Sequence, residues 1–199
     1  IKDKIKESNK NLDIDLKTIK LKLDPIKFKF YVKTLDATIY YSNRPIKLEY
    51  IGTEVSLTSI IKKKFVSSNF EITSRSLTLG DLIKFARSVY KGPELFILDK
   101  VIKKGSVKFD IKINYDENGK IKDDYEINGL IKDGKIQLLN NYIFEKINFI
   151  FNLKKQEFKF KEIKFATNKI DFFSEKVNVK QTEDIFYIDG NVKNKDATL

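Results

Sequence analysis

The stretch Val107-Lys-Phe-Asp-Ile-Lys-Ile113 alternates apolar and charged side chains at successive positions. The same period of two recurs in Ile26-Lys-Phe-Lys-Phe-Tyr-Val32, Ile147-Asn-Phe-Ile-Phe-Asn-Leu153 and Phe158-Lys-Phe160. Successive side chains of a β-strand point to opposite faces of a sheet, so this pattern predicts strands with one buried and one solvated face. From Leu12 onward, the sequence therefore predicts a sheet with a single apolar face.

Turn signals separate the predicted strands at intervals of roughly 8 to 12 residues. They are Asp24-Pro25, Ser42-Asn-Arg-Pro45, Asp116-Glu-Asn-Gly119 and Asp133-Gly134. Connections this short predict antiparallel neighbours joined by hairpins. Asp116 to Gly119 also invites a calcium-loop interpretation, but its spacing is not that of an Asp-x-Asp-x-Asn-Gly loop, which favours a hairpin tip.

A helical pattern interrupts the strands between Asp81 and Lys103. Apolar residues fall three and four apart on either side of Gly92-Pro93, namely Leu82, Phe85, Ala86 and Val89, then Leu95, Leu98, Val101 and Ile102. This spacing predicts two short amphipathic helices or one kinked helix. Pro93 suits a first helical turn, and Gly105 suits a C-terminal stop.

The strand-rich segments on either side of this insert resemble two copies of one unit. Ile51, Val55 and Leu57 recur 96 residues later, and Phe65, Phe70, Ile72, Leu77 and Leu79 recur 93 residues later, as apolar positions. We therefore expect a helix tail or linker at 1–11, a first repeat at 12–79, the helical insert at 80–105 and a second repeat at 106–199. Stacked repeats commonly extend one binding surface.

The composition excludes several kinds of chemistry. The 199 residues include no His and no Cys, so imidazole bases, thiolate nucleophiles, disulfides and the commonest metal ligands are absent. Only 8 glycines are present, and they are scattered without a phosphate-binding fingerprint. We expect no enzyme activity, no cofactor and no metal site. Because the sequence also lacks Met, we expect it to be a piece of a longer protein.

The net charge of +11 comes from 39 basic and 28 acidic side chains. Only Arg44, Arg75 and Arg87 are arginines, and the lysines are interleaved singly along the chain. Bidentate reading of bases and phosphates favours Arg, so we expect no nucleic-acid partner. Scattered Lys instead indicates solvated strand faces, or loose attraction to anionic lipid head groups. The longest apolar runs, such as Leu95 to Leu98, are too short to span a bilayer.

The apolar positions allow two interpretations, since Phe occurs 16 times and is concentrated there together with Ile. In a closed β-domain these side chains fill a core against a second sheet, and the domain serves as a structural or protein-interaction module of the cell envelope. In an open sheet curled into a trough, the same side chains line a binding surface for a hydrophobic ligand. Paired carboxylates for glycan hydrolysis form a third, weaker hypothesis.

Several stretches resemble one known family. Leu12 to Ile26, which ends in Leu-Asp-Pro-Ile, is followed by Ala37-Thr-Ile-Tyr-Tyr41 and by Val55-Ser-Leu-Thr-Ser-Ile-Ile61. This order is similar to the N-terminal region of AsmA-like proteins of Gram-negative bacteria, the group of YhdP- and TamB-related bridge-like lipid transfer proteins. Four later segments are similar to the family's recurring unit, in which the first and closing strands end in Gly: Tyr125 to Ile136, Ile147 to Leu153, Phe158 to Phe172 and Tyr187 to Val192. The resemblance covers most of 12–192 and rests on pattern and spacing.

The resemblance implies a mainly β fold, a long antiparallel meander curled into an open, taco-like groove made of repeats, with the helical insert near 81–103. It implies a segment of a periplasmic phospholipid transporter that shields acyl chains between the inner and outer membranes. An anchor upstream of this chain would hold it to the inner membrane. The residues expected to line the groove are Phe28, Phe30, Val32, Ile39, Val55, Phe70, Ile72, Phe109, Ile111, Ile113, Ile127, Ile136, Leu138, Phe149, Phe151, Phe158, Phe160, Phe165, Ile170 and Phe172.

Overall fold

The computed structural model describes residues 11–57, 61, 67–116, 122–138, 142–183 and 185–194. Of this described part, 68% is strand, arranged as one large, open, antiparallel sheet of 14 strands with two helices. The predicted class, an open antiparallel sheet with a helical insert, is thereby confirmed. The predicted helix tail lies almost entirely outside the described residues, as does most of the Asp116 to Gly119 turn.

The elements follow one another closely along the chain. They are β1 (Leu12–Asp15), β2 (Thr18–Asp24), β3 (Lys29–Leu35), β4 (Thr38–Tyr41), β5 (Arg44–Ser56), β6 (Ser67–Ser74), β7 (Leu77–Thr78), α1 (Leu79–Val89), α2 (Pro93–Val101), β8 (Ile102–Asn114), β9 (Glu126–Gln137), β10 (Ile143–Lys154), β11 (Glu157–Thr167), β12 (Ile170–Thr182), β13 (Ile185–Gly190) and β14 (Lys193–Asn194).

The strand order is β1-β4-β5-β6-β8-β9-β10-β11-β12-β13. Beside this path, β2 pairs with β3 and β3 pairs with β5, while β7 pairs with β8 and β14 pairs with β12. From β8 to β13, neighbours in the sheet are also neighbours in the chain, which is the meander that the short turns predict. The order of the described strands is open at β1 and β13, in contrast to the closed β-domain that the alternation also allowed.

Contacts between backbone positions divide the chain into two compact units. Unit 1 comprises residues 1–75 and 110–126, and unit 2 comprises residues 76–109 and 127–199. These bounds differ from the predicted repeats at 12–79 and 106–199, because β8 contributes its first part to unit 2 and its last part to unit 1.

Unit 1 contains the predicted turn at Ser42-Asn43, whereas the turn predicted at Asp24-Pro25 extends to Phe28, into the predicted strand Ile26 to Val32. Pro25 to Phe28 form the turn between β2 and β3, where the Asp24 carboxylate accepts from the backbone N–H groups of Ile26 and Lys27. Ser42 and Asn43, with φ of 48° and 63°, join β4 to β5 in the left-handed conformation that two-residue hairpins require. In β5 the pairing with β6 shifts between Leu48 and Tyr50, and the buried positions change phase with it.

Unit 2 begins with a capped helix. The Thr78 hydroxyl accepts a hydrogen bond from the Asp81 backbone N–H at 3.0 Å, which satisfies one of the free donors at the start of α1. Pro93 opens α2, as predicted. Leu79 and Leu82 of α1 pack with Val107 of β8 and Phe151 of β10, so the helix lies on the apolar side of these strands.

Two turn or stop predictions in unit 2 are wrong. Gly105, expected to end a helix, lies inside β8 with φ of 134°, and Asp133-Gly134, expected to form a turn, lies inside β9 with Asp133 at φ of 51°. Lys146 of β10 and Glu162 of β11 are also in the left-handed region. Four successive strands, β8 to β11, therefore each carry an irregularity, and bulges of this kind bend strands and increase their twist.

Candidate functional site

The strands of unit 1 align their apolar side chains in direct register. Leu21 of β2 pairs with Val32 of β3, Val32 pairs with Thr53 of β5, Thr53 pairs with Phe70 of β6, and Phe70 pairs with Ile113 of β8. Residues directly opposite each other in a ladder share a face of the sheet. One row of side chains therefore crosses all five strands, a distance of roughly 19 Å at the usual strand spacing.

Two parallel rows widen this surface, because residues two positions apart on a strand also share a face. One row runs through Ile19, Thr34, Ile51, Ile72 and Ile111, and the other through Leu23, Phe30 and Val55. We call the three rows together the apolar face of unit 1. Thr53 is compatible with it because its hydroxyl donates to the backbone carbonyl of Asn69 at 2.9 Å, which leaves its methyl group on the surface.

Exposure varies across the apolar face. In the middle of the sheet, Ile51 and Val55 are buried, whereas Phe30, Val32, Phe70 and Ile113 are half-buried. At β2, Leu21 is 66% exposed, and Ile19 and Leu23 are also exposed. Monomeric proteins seldom leave contiguous apolar rows open to water, and such patches usually mark binding surfaces.

The opposite face of the same strands is polar. Lys20, Lys22 and Lys33 alternate with the apolar residues, and the Lys33 ammonium lies 3.8 Å from the centre of the Tyr50 ring. Lys29 forms an ion pair with Glu54, and this carboxylate raises the pKa of the Lys29 ammonium above its ordinary value. Charged and apolar side chains therefore lie on opposite faces of these strands, as the period of two predicts.

The corresponding surface of unit 2 is a packed cluster. Leu79, Val107 and Phe151 are buried at its centre. The rings of Phe149 and Phe160 meet edge to face with centroids 5.7 Å apart. Nine half-buried apolar side chains pack around this centre: Leu77, Leu82, Ile102, Phe109, Ile127, Ile131, Phe149, Leu153 and Phe160. Five residues that were expected to line an open groove belong to this cluster, which also includes side chains of α1. They are Phe109, Ile127, Phe149, Phe151 and Phe160.

A pocket of about 400 Å³ lies elsewhere in unit 2. The rings of Phe165 and Phe172 stack with centroids 5.1 Å apart, and Lys146 approaches the Asp171 carboxylate at 3.4 Å. Asn148, Lys164 and Phe173 complete the lining. Two predicted lining residues, Phe165 and Phe172, therefore border a pocket whose rim is charged.

The other predicted lining residues are scattered. Phe28 lies in the turn before β3, with φ of 50°, and is exposed. Ile39 pairs with Ile14 and Ile46, and Phe158 pairs with Leu153 and Val179. Ile136 is half-buried in β9, and the exposed Leu138 follows that strand; Ile170 begins β12 and is partly exposed.

The apolar face also contains residues that the sequence analysis did not assign to a lining. Ile19, Leu21, Leu23, Thr34, Ile51 and Thr53 belong to it, although only Phe30, Val32, Val55, Phe70, Ile72, Ile111 and Ile113 were predicted. The signal was present, because Thr18 to Asp24 alternate with the same period of two as the stretches used for the prediction.

Among the described residues, no cluster of three or more acidic side chains is arranged to hold a metal ion. Neither of the helices that the structure describes combines the length and apolar composition needed to cross a membrane. Comparisons of the chain with protein-family models, curated proteins and solved structures found no match.

Proposed function

We propose that this chain is a periplasmic lipid-binding segment of a bridge-like phospholipid transporter, in which the apolar face of unit 1 shields acyl chains between the inner and outer membranes. The observation that carries the proposal is the register of Leu21, Val32, Thr53, Phe70 and Ile113 across five strands, with exposed apolar side chains at β2. An anchor to the inner membrane, supplied by a part of the protein outside this chain, belongs to the proposal.

The energetics favour a hydrocarbon ligand. Burial of one methylene group contributes about 0.8 kcal/mol, so shielding a chain of about 16 carbons contributes on the order of 10 kcal/mol. The exposed side chains of β2 gain additional burial when a ligand covers them. Most of this favourable energy is absent for a polar ligand, because the apolar face has few groups that could hydrogen-bond it.

The resemblance to AsmA-like proteins supports the same function. It covers the strands that form the apolar face, including Leu12 to Ile26 and Val55. The proposal gives the chain a binding role, with phospholipid acyl chains as partners, and assigns no catalytic residue, cofactor, metal or nucleic acid to it.

A protein-interaction role is a second candidate because of one feature, β13. All six of its residues are exposed, with Ile188 at 73%, and within the described chain it pairs only with β12. An unprotected edge strand is a template for pairing with another chain. Ile188→Lys should abolish any concentration-dependent association measured by analytical ultracentrifugation, and lipid content should stay the same.

Solvent extraction followed by mass spectrometry tests the proposed function. We expect the purified chain to carry phospholipid in a stoichiometric amount. A variant with Ile19→Gln, Leu21→Gln and Leu23→Gln should lose most of it, whereas the matched variant Lys20→Gln with Lys22→Gln, on the opposite face of β2, should retain it. A chain free of lipid, or equal loss in both variants, would contradict the proposal.

A further inference from the structure

The two helices of unit 2 expose apolar side chains on either side of the segment that joins them. Val89 ends α1, Tyr90 follows it, and Phe96 and Ile97 lie in α2, which begins at Pro93. Their exposed fractions are 55%, 59%, 52% and 58%, respectively. We call these four residues the helical corner.

The helix α2, all of which is described, has no buried residue. Only Leu95, Asp99 and Val101 are half-buried, and Asp99 joins α2 to α1 through an ion pair with Arg87. More than half of the surface of Phe96 and of Ile97 is therefore left uncovered by the rest of the unit. Two adjacent large apolar side chains on the solvent-exposed side of a short helix indicate an interaction site.

The acidic groups near the helical corner are engaged in local contacts. Asp99 pairs with Arg87, and Asp81 bonds to Thr78 at the start of α1. Glu94 accepts a hydrogen bond from the Tyr90 hydroxyl, and this carboxylate raises the pKa of Tyr90 above its ordinary value. Arg87 thus compensates the charge of Asp99, whereas Asp81 and Glu94 are held by neutral hydroxyl groups.

The two helices and the residues that directly follow them contain more basic than acidic groups. Residues 81–104 contain the bases Lys84, Arg87, Lys91, Lys100, Lys103 and Lys104 against Asp81, Glu94 and Asp99, a local net charge of +3. The guanidinium of Arg87 and the ammonium of Lys100 lie 5.4 Å and 5.5 Å from the centre of the Phe96 ring. Within the described part of the chain, Lys84 and Lys91 have no acidic partner.

We propose that the helical corner docks onto the surface of an anionic lipid bilayer, with Phe96 and Ile97 entering the headgroup boundary and the surrounding lysines facing the phosphates. At membrane interfaces, apolar and aromatic side chains insert at the headgroup boundary, and basic side chains that flank them are attracted to anionic lipids. A protein partner fits less well, because Lys is depleted at the cores of protein interfaces. This docking site goes beyond the proposed acyl-chain binding and uses different residues.

The natural absence of Trp from the chain allows a direct test. Phe96→Trp introduces the chain's only tryptophan, which can be excited apart from its nine tyrosines, at the helical corner, and Phe186→Trp introduces one at a similarly exposed site in β13. With vesicles of equimolar phosphatidylcholine and phosphatidylglycerol, we expect the emission of Trp at position 96 to shift to shorter wavelength and to be quenched by brominated lipid. Trp at position 186 should show neither change. Unchanged emission at position 96 would overturn the proposal.

Vesicle sedimentation provides the second readout. The variant Phe96→Asp with Ile97→Asp should bind the anionic vesicles at least about tenfold more weakly than the unaltered chain, because it removes the inserted apolar area. The control variant Ile185→Asp with Phe186→Asp should bind like the unaltered chain. Lys84→Gln and Lys91→Gln should each weaken binding about fivefold.

Three results would overturn the docking site. They are equal binding to vesicles of pure phosphatidylcholine, equal loss of binding in both aspartate variants, and a self-association of the free chain that Phe96→Asp with Ile97→Asp removes. Phospholipid content after solvent extraction should not change in the variant at the helical corner. A failure of membrane docking is therefore distinguishable from a failure of acyl-chain binding by unit 1.

Discussion

Gly105 illustrates how one residue determines local structure in unit 2. It lies within β8 at φ of 134°, a backbone conformation that is strained for any residue with a Cβ atom. A Cβ atom at this position would lie 2.7 Å from Leu79 Cδ1 and 2.9 Å from Gly134 Cα. Glycine at this position thus permits both the backbone conformation and the close approach of α1 and β9.

Replacement of this glycine should therefore destabilise the protein. We expect Gly105→Ala to lower the free energy of unfolding by more than about 1 kcal/mol, since both the backbone and the contacts oppose a methyl group. Chemical denaturation followed by circular dichroism measures the effect. Gly80→Ala is the matched control, because a Cβ in this position of α1 meets only the Thr78 hydroxyl oxygen at 4.0 Å, an ordinary contact, and it should stabilise by a few tenths to about 1 kcal/mol. Similar effects of the two substitutions would contradict the role given to Gly105.

Phe151 is the aromatic residue at the centre of the packed cluster. It is 9% exposed and contacts side chains from both α1 and the neighbouring strands. We expect Phe151→Ala to destabilise by about 3 to 5 kcal/mol, the usual range for a buried aromatic side chain. Phe186→Ala, at a position 57% exposed, should change stability by less than about 0.5 kcal/mol. A small effect at Phe151 in urea unfolding would show that the cluster is not a core.

At the scale of elements, the period of two predicted most strands and the faces they present. The local sequence indicates which side chains share a face in Leu21-Lys22-Leu23 and Phe30-Tyr31-Val32. The pairing of β2 with β3 agrees with this assignment. The helices were predictable for the same reason, because the spacing of Leu82, Phe85 and Val89 and the placement of Pro93 are local signals. Strand ends were less predictable, and Phe28 was counted in a strand although it lies in a turn.

Bulges were the features that local pattern could not predict. Asp133-Gly134 is a common turn sequence, yet tertiary pairing holds it inside β9, where Gly134 lies next to Ile147 of β10. A bulge and a turn use the same left-handed conformations, so the same residues favour both. Only the pairing partners distinguish the two, and these lie in the neighbouring strands β8 and β10, outside the local sequence of β9.

The cap of α1 provides a prediction at this scale. Thr78→Ala removes the hydroxyl that accepts from the Asp81 backbone N–H, and it should destabilise the protein by about 1 kcal/mol. Thr78→Ser keeps the hydroxyl and should have little effect. Thermal unfolding measures the stability of the two variants. If Thr78→Ser lost as much stability as Thr78→Ala, the contribution of Thr78 would come from its methyl group and not from its hydroxyl.

At the scale of the whole molecule, the candidate site was predicted in part. The apolar face of unit 1 contains Phe30, Val32, Val55, Phe70, Ile72, Ile111 and Ile113, which the alternation assigned to a lining. In unit 2, Phe109, Phe149 and Phe151 obey the same alternation but pack under α1. The period of two identifies which side chains share a face, but it carries no information on which faces a distant helix covers.

Adjacent residues on one strand offer the most direct test of whether the apolar face of unit 1 contacts hydrocarbon. A benzophenone photoprobe at Leu21 or Val32 reports from the apolar face, and one at Lys22 or Lys33 reports from the opposite face. After irradiation in bacterial cells, mass spectrometry should detect phospholipid adducts at Leu21 and Val32 and none at Lys22 and Lys33. Equal labelling at all four positions, or adducts only to protein, would contradict the account.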